Sequence, residues 1–106
     1  MKVTVIGLGP GGGADLTGRA RAALEACDLI VGYTAYIDLV RADFPQKETL
    51  STGMRREVDR CRAAVEAART GKDVAVVCSG DSGVYGMAGL IYEGAQEYDP
   101  IEIEVG

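Results

Sequence analysis

The sequence predicts an α/β fold, a Rossmann-like doubly wound domain built on a five-stranded, mainly parallel sheet. Three observations carry that expectation. Short apolar runs alternate with segments of helical spacing along all 106 residues. One run, Val74-Ala75-Val76-Val77-Cys78, is apolar throughout, as suits a strand covered on both faces. The 15 glycines gather where such runs end instead of repeating at a fixed period.

The elements follow in order. Val3, Val5, Ile6 and Leu8 make the first strand, ended by glycines. Leu16, Ala20, Ala23, Leu24 and Cys27 then recur at helical spacing, with Thr17 as the N-cap. Leu29-Ile30-Val31 is a second buried strand, stopped by Gly32. A short helical or irregular piece over 35–42 leads to a weak strand over 48–51. Met54, Val58, Cys61, Val65 and Ala68 form the apolar stripe of a third helix, whose arginines and glutamates cover the other face. Gly71 is its C-terminal stop. After the Val74 strand, Met87, Leu90 and Ile91 lie on a fourth helix. Ile101, Ile103 and Val105 alternate with glutamates, the pattern of a half-exposed last strand. The chain ends with that strand, so it reads as one domain, 1–106, cut from a longer protein.

Composition removes several function classes. A net charge of −5 disfavours general nucleic-acid binding, which rests on cations meeting phosphates. Cys27, Cys61 and Cys78 stand apart in apolar patterns, and there is no histidine, so buried reduced thiols are expected and a metal site is not. With no signal peptide and no membrane-length apolar stretch, the protein is expected to be cytoplasmic and to have no membrane partner. The oligomeric state stays open, a homodimer included.

Ligands of open α/β sheets bind beyond the carboxyl ends of the strands. Two loops stand out there: 7–13 after the first strand and 79–86 after the fourth. The first contains GxGxxG as Gly7, Gly9 and Gly12. A dinucleotide reading fails on three counts. Pro10 removes an amide donor, no helix opens within the glycines, and Gly32-Tyr33-Thr34 offers no acid for a ribose. In the second loop, Gly80 and Gly83 would let a ligand lie against bare backbone, and Asp81 could accept hydrogen bonds from it. The residues alone leave Asp81 divided evenly between that role and capping the next helix.

VIGLGPGG, DLIVGYTAYIDLV, STGMRREVDRC and SGDSGVYGMAG, in this order along the chain, resemble the tetrapyrrole methylase family. The last three resemble the precorrin-3B C17-methyltransferases of cobalamin biosynthesis. The resemblance implies the N-terminal domain of a two-domain enzyme with S-adenosylmethionine in the cleft between the halves. It implies methyl transfer to C17 of a tetrapyrrole substrate, coupled to ring contraction, with this domain inactive by itself. Pro10, Ser79, Gly80, Asp81 and Val84 then fall on the cofactor. Gly9, Gly11 and Tyr33 border the substrate trough. Some methylases of earlier tetrapyrroles place a catalytic aspartate where Tyr33 stands, so their acid–base scheme does not transfer. Ser82 departs from the proline of many relatives, and no catalytic residue is assigned.

Such a substrate carries several carboxylates, and this domain is acidic. Arg55 and Arg56, at the start of the third helix, are candidates to meet them, with surface pairing to Asp59 as the alternative. Other readings stay open: a methylase of another tetrapyrrole, or a stand-alone, non-catalytic binding or regulatory domain. A receiver-like domain lacks its acidic cluster, and a flavodoxin-like one its Ser/Thr-rich phosphate loop.

Overall fold

The computed structural model describes residues 2–8, 18–53, 56–79, 86–91 and 102–105. Their order is β1 (Lys2–Leu8), α1 (Gly18–Ala26), β2 (Leu29–Tyr33), α2 (Thr34–Arg41), β3 (Glu48–Thr52), α3 (Glu57–Arg69), β4 (Val74–Ser79) and β5 (Glu102–Val105). Residues 86–91, between β4 and β5, are helical. The strands form one sheet in the order β3-β2-β4-β1-β5, and every neighbouring pair is parallel. The five-stranded α/β expectation is met.

Strand alternation divides the core between the two faces. Ile6, Leu8, Ile30, Ala75 and Val77 pack with Leu24 of α1 and with Ile37 and Val40 of α2. Val3, Val5, Val31, Val74, Val76 and Cys78 pack on the other face with Cys61, Ala64, Val65 and Ala68 of α3 and with Met87, Ala88 and Ile91. The central strand β4 is buried at every position from Val74 to Cys78, which explains its uninterrupted apolar run. Gly32 is set by packing between strands. A Cβ there would stand 2.6 Å from Val77 Cγ2 and 3.1 Å from the Val77 carbonyl oxygen.

The amino edge of the sheet is tied by Asp73. Its carboxylate accepts from the Lys2 amide at 3.0 Å and its carbonyl from the Asp28 amide at 2.7 Å, while its own amide donates to Asp28 Oδ2 at 2.9 Å. Lys47 closes the end of α1, where its ammonium donates to the carbonyls of Glu25 and of Cys27, the latter at 2.8 Å. A cation at the negative end of a helix is the favourable arrangement.

Helix α3 ends as its sequence predicts. Gly71 has φ of 102°, and its amide donates to the Ala68 carbonyl at 2.9 Å. Its stripe keeps Cys61, Val65 and Ala68 as expected, but Val58 drops out and Arg60 and Ala64 join it. Val58 is 56% exposed, whereas Arg60 is 4% exposed and shares the buried face with Cys61, Ala64, Val65 and Ala68. The reason is geometric. The sheet meets the Arg60–Ala64–Ala68 row as well as Cys61 and Val65, so Val58, in the first turn, falls beyond the rim of the contact. The expected positions Leu16, Thr17 and Met54 lie outside the described residues, as do the side chains of β5.

Candidate active site

Because the sheet is parallel, Leu8, Tyr33, Thr52, Ser79 and Val105 end their strands on one edge. Leu8 stands opposite Ser79 in the β1–β4 register. The two glycine-rich segments therefore follow neighbouring strands at the same edge. Beyond them the chain parts to opposite faces, with α1 on the Ile6 side and residues 86–91 on the Val76 side. Neighbouring strands whose connections part in this way leave a crevice at their carboxyl ends, the usual ligand site of such sheets.

Of the cofactor candidates, Ser79 is the last residue of β4 and stands at this crevice. Pro10, Gly80, Asp81 and Val84 lie outside the described residues, as do the substrate candidates Gly9, Gly11 and Arg55. A groove of about 280 Å³ between α1 and the first residues of β1 and β4, lined by Lys2, Arg19, Ala23 and Asp73 among others, opens at the opposite, amino edge. It is remote from the crevice.

A second group occupies the same edge, two strands along. Tyr33 ends β2 half-buried, with its ring edge-on to Tyr36 at 5.6 Å between centroids. Thr34 Oγ1 donates to the Thr52 carbonyl at 3.3 Å and so ties the ends of β2 and β3 together. Arg60 reaches back from α3 to the same corner. Its Nε donates to Thr52 Oγ1 at 2.7 Å and its Nη2 to the Gly53 carbonyl at 3.2 Å. Arg56, by contrast, is exposed and donates from Nε to Asp59 Oδ2 at 2.6 Å, the surface pairing weighed above as the alternative.

Arg60 is the residue that sequence reasoning missed. The signal was present: Arg60, Ala64 and Ala68 fall at i, i+4 and i+8, and two small residues below a cation mark a face held close to a neighbour. The three thiols are buried and free. Burial pushes those of Cys61 and Cys78 up to about 11 against an ordinary 9.0, with the nearby Arg60 charge opposing the rise at both. Neutral thiols of this kind are core residues, not nucleophiles.

Residues 2–105 match the family model described as Tetrapyrrole (Corrin/Porphyrin) Methylases. The chain belongs to the tetrapyrrole methylase family. Among its curated relatives, the cobalt-factor III methyltransferase of Priestia megaterium is 46% identical over 98% of this chain and 20% of its own length. The probable cobalt-factor III C(17)-methyltransferase of Salmonella typhimurium is 50% identical over 86% of this chain and 38% of its own. The crystal structure of the methyltransferase CobJ superposes with a TM-score of 0.81 at 37% identity, covering 97% of this chain and 44% of that one. This methylase chain thus spans less than half the length of the relatives it matches. Among its described residues no helix is long and apolar enough to cross a membrane.

Proposed function

We propose that this chain forms one side of the active site of an S-adenosylmethionine-dependent methyltransferase that modifies C17 of a tetrapyrrole, with ring contraction, in cobalamin biosynthesis. The observation that carries the reading is the Leu8–Ser79 register. In a member of the methylase family, it sets the two glycine-rich segments on neighbouring strands at a crevice. The arrangement fits the cofactor, because chain that departs from such a crevice through glycines can bring backbone amides against a ligand.

S-Adenosylmethionine supplies an electrophilic methyl group on a sulfonium. The protein's part is alignment, and fixed geometry can supply several powers of ten in rate without a metal or a histidine. Pro10, Ser79, Gly80, Asp81 and Val84 hold the cofactor in this reading, with Asp81 accepting hydrogen bonds from its polar groups. Gly9, Gly11, Tyr33 and Arg55 border the tetrapyrrole. Arg56 contributes less, since Asp59 already takes its charge. The relatives' names favour a substrate that already carries cobalt over precorrin-3B.

The test is to incubate the full-length protein with methyl-labelled S-adenosylmethionine and either cobalt-factor III or precorrin-3B. Label should appear at C17, in the cobalt form first. Binding of both ligands without transfer would instead support a non-catalytic binding domain.

A further inference from the structure

Arg60 is a buried cation with no counterion among the described residues. A guanidinium has five N–H donors. Two meet Thr52 Oγ1 and the Gly53 carbonyl, both neutral acceptors. The acids nearest in sequence are occupied elsewhere or exposed: Asp59 pairs with Arg56, and Glu57 faces solvent. No buried side-chain nitrogen or oxygen among the described residues lacks a partner. Among the described residues no group accepts from Nη1. A charge buried this way gives up hydration, and among the described residues no acidic partner offsets the loss. The two hydrogen bonds tie α3 to the end of β3 but engage only two of the five donors with described groups.

The position says what the other donors can meet. The guanidinium is fixed at the carboxyl end of β3, on the edge that carries the crevice. Two strand spacings, about 10 Å, separate β3 from β4. A methionine-sized cofactor seated between β1 and β4 lies on the far side of that gap, whereas a macrocycle with acidic side chains around its rim spans it. The geometry points to Arg60 as the residue that receives a side-chain carboxylate of the tetrapyrrole, its remaining N–H groups completing a charge-assisted contact while Thr52 and Gly53 hold the fork in place. This assignment rests on the methyltransferase reading above. It replaces a flexible surface arginine with a pre-oriented one, whose fixed fork sacrifices little freedom on binding.

The experiment uses the full-length protein and reads tetrapyrrole affinity by absorbance titration and S-adenosylmethionine affinity by calorimetry. Arg60→Gln is expected to weaken tetrapyrrole binding about 10- to 100-fold, with a shallower salt dependence and unchanged cofactor binding. Arg60→Lys, which keeps the charge but loses the fork, should recover part of the loss. If the Arg60 variants do not fold, Thr52→Val removes the Nε acceptor alone and should give a smaller loss of the same sign. Unchanged tetrapyrrole affinity, or weakening of cofactor binding alone, would overturn the assignment and leave Arg60 as a tie between α3 and β3. Failure of the unsubstituted protein to bind a tetrapyrrole would overturn the functional reading itself.

Discussion

Cys61 and Cys78 show how a residue's surroundings decide its chemistry. Both sit in the core cluster between α3 and the sheet, and Cys61 Sγ lies 3.4 Å from Met87 Sδ. Both thiols stand at about 11 against 9.0, raised chiefly by burial, with the neighbouring Cys61 contributing to the rise at Cys78. Well below pH 9 both thiols are protonated in the folded and unfolded chains alike, so neither penalises folding. Above 9.0 the unfolded chain releases its protons while the folded chain keeps them, so stability must fall as pH climbs towards 11. The limiting slope is about 1.4 kcal/mol per pH unit for each thiol. Urea unfolding between pH 8 and 11 should show this decline, and Cys78→Ala should make it shallower while the Cys61 share remains. An equally steep decline in the variant would place its origin elsewhere. Arg60 belongs to the same scale: its identity was readable at once, but its burial depended on which row of α3 the sheet would meet.

Among the elements, those with a strong internal period were legible. The β4 run and the Gly71 stop stand where their residues predict, because each reflects local chemistry, whereas the strand begun at Leu29 does not stop at Gly32 but runs through it to Tyr33. The stretch after Gly32 was less legible. Thr34–Arg41 is a full helix whose buried residues are only Ile37 and Val40, too few to show a period. Phe44 was passed over, although it is buried in the same cluster as α1 and α2 and lies under the Arg21 guanidinium at 5.9 Å. An isolated aromatic in a loop carries no spacing to read. In α3 the stripe was legible at Cys61, Val65 and Ala68 but not at its start, where Val58 looks apolar in sequence yet is 56% exposed. The crevice followed from strand order, which no single segment encodes, while most of the residues assigned to it lie outside those described. Gly71 offers the test at this scale. Its φ of 102° is left-handed, with open space around a would-be Cβ. Gly71→Ala should therefore cost about 1 kcal/mol through backbone strain alone. Denaturation showing no loss would mean that the turn relaxes into another conformation.

At the scale of the molecule, the decisive fact is that the chain matches 20–44% of the length of the three relatives described. Small-molecule sites usually enclose most of the ligand's surface. One sheet edge offers a floor and not an enclosure, so the 106-residue chain alone should bind S-adenosylmethionine more weakly than about 1 μM. Calorimetry decides this, and submicromolar binding by the monomer would show that the edge suffices. The strand order bears also on how the protein is made. β1 is paired only with β4 and β5, both of which come much later in the chain. While a ribosome is still translating α2, β3 and α3, the Val3–Leu8 segment has no native strand to pair with, and its backbone edges stay open to wrong ones. Loop-closure entropy also slows such distant pairings. A strand made before both of its partners is thus secured late, and until then its apolar edge is open to the mispairing that makes such nascent segments prone to aggregate.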